Sequence, residues 1–201
     1  MKLYWSNASP YARKVRMVIA EKALGALVEE ISVDVFADPP ELLAVNPLGK
    51  IPALTMDDGL GLFDSPTICA FLDAHPQGRG PRLQPQSGPE RWMVMRAEAL
   101  GDGIADLAFA LRQEGLKPEG EKSPTSARRS RGQLLRSLDA VLPALQTLPE
   151  GMTQGHIALA VALGYLDFRH ADVAWRERRA ELSAWFEQLS TRPSIAATAP
   201  Q

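Results

Sequence analysis

A single cysteine among 201 residues rules out an internal disulfide. Histidine is scarce as well: His75, His156 and His170 stand at no metal-ligand spacing to one another or to acids, so no metal is expected. Charge of one sign is missing too. A net charge of -2 and a pI near 6.0 give no electrostatic reason to expect nucleic acid or an anionic membrane as partner. The one basic cluster, Arg128, Arg129, Arg131 and Arg136, has no interleaved aromatics and reads as a solvated helix face. No apolar run is long enough to span a bilayer, and the opening Lys2-Leu3-Tyr4-Trp5 is strand-like rather than the apolar core of a signal peptide. The expectation is a cytoplasmic protein with no membrane and no nucleic-acid partner. Its length suffices for one large domain or two modest ones.

What is present divides into two halves. Tyr4 and its neighbours read as a strand. Val15, Val18, Ile19 and Ala23 then form the inner stripe of a helix that Gly25 is expected to end. Ile31, Val33 and Val35 alternate with Glu30, Ser32 and Asp34 as a second strand, and residues 52–56 and 60–63 flank the hairpin signal Asp57-Asp58-Gly59. Ser65 opens a helix reaching about Ala74. This βαβ-then-ββα order predicts an α/β domain of thioredoxin-like type over residues 1–78. From His75 to Pro89 the chain turns to Pro, Gly, Gln and Arg, as a linker does. An all-helical domain follows over 86–201. Met93, Ala97, Leu100, Ile104, Leu107 and Leu111 mark one of its helices, Leu134 to Leu145 another, and Leu182, Trp185, Phe186 and Leu189 a third; residues 157–166, apolar nearly all round, form its core helix.

Three local motifs in the first half carry chemistry. Ser9-Pro10-Tyr11 puts a hydroxyl at a strand-to-helix junction, with Ser9 as N-cap and Pro10 as first helical residue. The helix end ahead of Ser9 offers free N–H groups and a positive dipole, surroundings that favour a thiolate. Taken alone, the motif is a helix cap. Asn46-Pro47-Leu48-Gly49-Lys50-Ile51-Pro52 is a turn running into a strand with proline at its entrance, where a ladder donor is lost. If Pro52 is cis, the N–H and C=O of Ile51 are free to pair with an extended peptide ligand, and Lys50 lies close enough to meet a carboxylate. The bland reading is a turn with a surface lysine. In Phe63-Asp64-Ser65-Pro66, Ser65 can offer hydroxyl and N–H to a carboxylate and Asp64 can meet an ammonium, or the pair can simply cap a helix.

With these motifs in this order the chain resembles the glutathione S-transferase family over nearly its whole length, and most of all its short bacterial members with Ser-Pro-Tyr or Ser-Pro-Phe followed by Arg-Lys. The run Ala162-Leu163-Gly164-Tyr165-Leu166-Asp167-Phe168-Arg169 adds to the likeness. The resemblance implies a thioredoxin-like glutathione-binding domain and a helical domain forming part of the electrophile site. It implies that Pro52 is the cis-proline, that Ile51 holds the cysteinyl backbone of glutathione, that Asp64 and Ser65 hold its γ-glutamyl end, and that Lys50 contacts the glycine carboxylate or its neighbourhood. Glutathione is then the co-substrate, a small electrophile the second substrate, detoxification the general role, and a homodimer the assembly.

Ser9 is the expected catalytic group. A free thiol has a pKa near 8.5, so a hydroxyl donating to sulfur at a helix N-terminus raises the thiolate fraction, and the thiolate attacks an electrophilic carbon. Serine cannot form the mixed disulfide that cysteine forms in related Cys-Pro-Tyr reductases, and Cys69, inside Ile68-Cys69-Ala70-Phe71, reads as a small buried hydrophobe. Tyr4 and Tyr11 also carry hydroxyls but read as packing residues. A glutathione-fold binding or stress-response protein with little catalysis is the competing reading; isomerisation, dehalogenation or ether cleavage by the same thiolate is a third.

The helical half raises three further points. Gly101 and Gly103 interrupt a helix at about 1 kcal/mol each, which suggests close approach by a ligand or second subunit. Asp102 either reaches a glutathione ammonium across a dimer interface or, the favoured reading, sits on a solvated face. Thr153-Gln154-Gly155-His156 departs from the family pattern of an acid at the fourth position; a neutral imidazole can still accept the Thr153 N–H, whereas a protonated one cannot.

Overall fold

The computed structural model describes residues 1–200 and falls into two compact units, Met1–Gln84 with Thr191 onward, and Pro85–Ser190. The first unit is built on a sheet with strand order β2-β1-β3-β4. β1 (Lys2–Trp5) lies parallel to β2 (Glu29–Ser32) and antiparallel to β3 (Ala53–Thr55), which pairs antiparallel with β4 (Gly61–Leu62). The parallel pair needs a crossover, and α1 (Pro10–Glu21) supplies it. Leu3, Val15, Val18, Ile68 and Leu72 are fully buried, so the apolar stripes of α1 and α3 (Ser65–Ala74) close one core, while Tyr4 packs with Leu42 and Ala53 in another. The fold is the expected thioredoxin-like half followed by a helical half.

Three local readings need correction. Helix α1 stops at Glu21, short of Gly25, because Ala23 takes a left-handed conformation (φ 54°). The N–H groups of Ala23 and Leu24 donate to the carbonyls of Ala20 and Ile19 at 3.1 and 2.9 Å, the reverse-turn closure usually built on glycine. A short helix α2 (Pro40–Val45) follows β2, with Pro40 at its first turn and Leu42 buried; its six residues are too few for a periodic signal. The tail from Thr191 belongs with the first unit rather than the helical one. Ile195, 2 % exposed in α9 (Pro193–Ala196), is its apolar anchor. Arg192 holds Glu21 through two hydrogen bonds of 2.9 and 2.7 Å, Ser194 also donates to Glu21, and Arg13 donates to the Ile195 carbonyl at 3.3 Å.

The end of the first unit is tied by a buried ion pair. Lys22 and Asp73, each with a side chain 3 % exposed, stand 3.2 Å apart. Asp73 accepts from the N–H groups of Leu83 and Gln84 at 2.9 and 3.1 Å, and Lys22 donates to the Pro81 carbonyl at 2.9 Å. Both charges are thus hydrogen-bonded as well as paired, the condition for tolerating their burial.

The helical unit contains α4 (Gly88–Leu116), α5 (Pro124–Asp139), α6 (Val141–Leu145), α7 (Gln154–Arg169) and α8 (Ala180–Ser190). Residues 157–166 of α7 are all buried, as its all-round apolarity requires. The partner of Gly101 is neither ligand nor second subunit but α7: a Cβ there would lie 2.5 Å from the Ala158 carbonyl carbon. Gly155 repeats the device, since a Cβ on it would come within 2.8 Å of the Ala97 Cβ. Gly103 faces open space.

Thr153 caps α7, and His156 does complete the capping box. The Thr153 N–H donates to His156 Nδ1 at 3.3 Å and the His156 N–H donates to Thr153 Oγ1 at 3.4 Å. Burial holds the His156 pKa below its ordinary value, which keeps the ring in the neutral form that this box needs.

Candidate functional site

The strand register gathers the three motifs at one edge of the sheet. β1 runs out at Trp5 and delivers Ser9; Ala53 pairs with Tyr4 near that end of β1, so Pro52, just before β3, enters at the same edge. Leu62 pairs with Leu54, so the chain leaving β4 also emerges there and delivers Asp64 and Ser65.

Each motif has a defined local geometry. Ser9 has extended backbone (φ -82°, ψ 117°), and its Oγ accepts the Ala12 N–H at 3.2 Å with Pro10 in the first turn. Because the hydroxyl oxygen serves as cap acceptor, its proton remains to be donated outward. The Ile51–Pro52 peptide is cis. Asn46, read from sequence only as a turn residue, organises the segment ahead of it. Only 2 % exposed, its side chain donates to the Lys50 carbonyl at 2.8 Å and accepts the Leu48 N–H at 3.1 Å. Gly49 supplies the left-handed residue that this turn requires (φ 62°). The legible signal was Asn-Pro-x-Gly, an Asx turn in which the side chain replaces a backbone acceptor. Lys50 is exposed, Ile51 half-buried and Pro52 buried.

Asp64 is exposed and stands at the N-cap of α3, yet its carboxylate does not cap the helix. Ser65, 2 % exposed, opens that helix with Pro66 behind it. Two helix N-termini, those of α1 and α3, therefore meet one sheet edge, each presenting orphan N–H groups and positive dipole charge. Such an edge suits a ligand with more than one anionic group, and Asp64 adds a single acceptor for a cation.

Two other candidates are spoken for. Tyr4 is 6 % exposed and its ring belongs to the cluster with Leu42 and Ala53. Cys69 is fully buried, as a small apolar residue would be. Trp5, not singled out by the sequence reading, closes β1 just ahead of Ser9, with the Arg16 guanidinium 3.8 Å over its ring and Arg16 in turn held to Glu30 at 2.8 Å.

Residues 3–80 match the family model described as glutathione S-transferase, N-terminal domain, and residues 124–188 match that of the C-terminal domain. The chain belongs to the glutathione S-transferase family. Among its relatives in this family, the uncharacterized GST-like protein YibF of Escherichia coli (strain K12) is 33 % identical over all of this chain and 98 % of its own length. A stringent starvation protein A homolog of Haemophilus influenzae is 31 % identical over 97 % of this chain and 88 % of its own. A glutathione transferase family member from Pseudomonas fluorescens Pf-5, solved with bound glutathione, is 36 % identical with a TM-score of 0.94, covering 100 % of this chain and 98 % of that one. A second structure, of a Pf-5 family member with bound S-(propanoic acid)-glutathione, shows 36 % identity and a TM-score of 0.89 over all of both chains. No helix among the described residues is long and apolar enough to cross a membrane.

Proposed function

We propose that this family member binds glutathione at the sheet edge formed by Ser9, Ile51–Pro52 and Asp64–Ser65, and activates its thiol toward a small electrophile. The observation that carries the reading is the Ser9 hydroxyl, fixed at the N-terminus of α1 by its bond to the Ala12 N–H with its own proton left to donate. Glutathione bound to the Pf-5 relative supports the choice of thiol.

The roles follow from what each group offers. Ser9 donates to sulfur and, with the α1 N-terminus, lowers the energy of the thiolate; the thiol proton leaves to solvent. The Ile51 backbone pairs with the cysteinyl residue in the manner of an added strand. Ser65 and the α3 N-terminus take the γ-glutamyl carboxylate, Asp64 takes its ammonium, and Lys50 meets the glycine carboxylate. The thiolate then forms a carbon–sulfur bond, and either a leaving group departs with its electron pair or, in conjugate addition, the electrophile's new carbanion takes a proton from water. The Pf-5 adduct S-(propanoic acid)-glutathione is a thioether of this kind. A homodimer in the cytoplasm, with detoxification as its general role and no metal, completes the reading.

The stringent starvation relative, by its name a starvation-response protein, supports the stress-response part of a second reading, a glutathione-fold binding or stress-response protein with little or no catalysis. Turnover separates the two. Initial rates of glutathione conjugation to a small electrophile should show saturation in glutathione. Asp64→Ala should raise the KM for glutathione about tenfold, the worth of one charge-assisted contact, with kcat little changed. Glutathione binding without turnover of any electrophile class would favour the second reading.

A further inference from the structure

Ser9 is placed by α1, and α1 is gripped by the far end of the chain as well as by the sheet. The tail takes hold of it at two points. At the last residue of the helix, Glu21 accepts two N–H bonds from Arg192 at 2.9 and 2.7 Å and the Ser194 hydroxyl proton. About 12 Å back along the axis, Arg13 donates to the Ile195 carbonyl at 3.3 Å, across 182 residues of sequence. Ser194 and Ile195 belong to the single turn of α9, which Arg192 precedes, so one short element touches both the first turn and the last residue of α1.

The first turn of a helix has few bonds of its own, and helix ends open more readily than helix centres. Here the Ala12 N–H donates to Ser9 Oγ at 3.2 Å and the Arg13 N–H to the Ser9 carbonyl at 3.0 Å. Arg13 therefore works at both ends. Its backbone closes the turn on Ser9, while its buried side chain is tied to the tail. Four residues are too few for α9 to hold itself as a helix, so its place is set from outside. Glu21 holds Arg192 and Ser194, Ile195 and Ser194 are buried, and the Thr198 hydroxyl donates to the Ser194 carbonyl at 2.8 Å.

We propose that Arg13 is a positioning residue for the thiol chemistry and that the tail acts on Ser9 through it. Arg192 and Ser194 fix α9 on Glu21, α9 presents the Ile195 carbonyl, and that carbonyl holds Arg13 and with it the turn that carries Ser9. The consequence for chemistry rests on the thiol reading above; the clasp itself does not. A single hydroxyl donor stabilises a thiolate only as far as its direction and distance are kept, so loosening the turn that bears it weakens the effect without removing the group.

The test uses the full chain and begins without glutathione, by amide hydrogen exchange in Arg13→Gln, Arg192→Gln and the double variant. Each single variant should speed exchange of the Ala12 and Arg13 amides about tenfold and leave the strand amides of Leu3 and Leu54 unchanged. Because both substitutions open one clasp, the double variant should exchange little faster than either single one; independent links would multiply to about a hundredfold. No change at Ala12, a uniform rise that includes the strand amides, or multiplicative effects would overturn the proposal. The second readout is the pH titration of the ultraviolet thiolate band with saturating glutathione. Arg192→Gln, remote from Ser9, should cut the thiolate fraction at neutral pH about threefold, within the range of a helix-terminus effect. An unshifted titration in a variant whose first turn has loosened would overturn the positioning role. Absence of the band in the wild type would count against the thiol reading alone, and the exchange rates would still decide the clasp.

Discussion

Each of the two units is held internally by a different means. At the end of the first, Lys22 and Asp73 are buried as a charged pair that also grips the backbone of Pro81, Leu83 and Gln84. At the centre of the second, α4 and α7 approach so closely at Gly101 and Gly155 that backbone meets backbone or a side-chain Cβ. Polar groups fix loops, since a loop has no ladder to satisfy its amides; removal of side chains fixes helices, because close packing there depends on shape. The distinction bears on function. The first unit's sheet edge is defined by loops, and the same device recurs where Asn46 sets the approach to Ile51.

Breaking each device should separate them. Asp73→Ala leaves Lys22 charged and uncompensated in the interior and should cost about 3–5 kcal/mol, read as a fall in the denaturation midpoint. Loss of under 1 kcal/mol would mean that the linker is held without the pair. Gly101→Ala forces two backbones apart and should cost about 3 kcal/mol, at the upper end of overpacking penalties, where an open helical site such as Gly103 should gain from alanine. Equal effects at the two glycines would contradict the packing account.

The smallest effect lies at the start of α7. Burial depresses the His156 pKa, so the unfolded chain binds a proton first as pH falls. The stability carried by the neutral ring is therefore full above about 6.5 and is lost as pH drops through that value toward the lower folded one. His156→Asp keeps an acceptor for the Thr153 N–H and should be neutral or stabilising by about 1 kcal/mol at pH 7, flattening the decline that sets in below about pH 6.5. Clear destabilisation at pH 7 would point to the neighbouring Trp185 ring, 6.4 Å from that of His156, as the more important partner.

What the sequence made legible was local. Ser9-Pro10 announces a helix start through its own hydroxyl and ring, and Asp57-Asp58-Gly59 announces a hairpin through its own backbone preferences. Gly101 announced a close approach but not by what, because the approaching residue, Ala158, lies across the fold. Lys22 and Asp73 gave no signal at all, since a lysine and an aspartate far apart in sequence look like two surface charges until the chain is folded. Adjacency in sequence puts the tail with the helical half, whereas Glu21 and Arg13 on α1 decide where it goes. At the candidate site the three motifs were each readable, and their meeting at one sheet edge came only with the strand register.

The central claim is that the Ser9 hydroxyl, set at the start of α1, stabilises a bound thiolate. The most direct measurement is the ultraviolet thiolate band on titrating glutathione into the protein at neutral pH, wild type against Ser9→Ala. The account predicts a saturable band for the wild type that Ser9→Ala loses while still binding glutathione. A band of equal height in both proteins would contradict it.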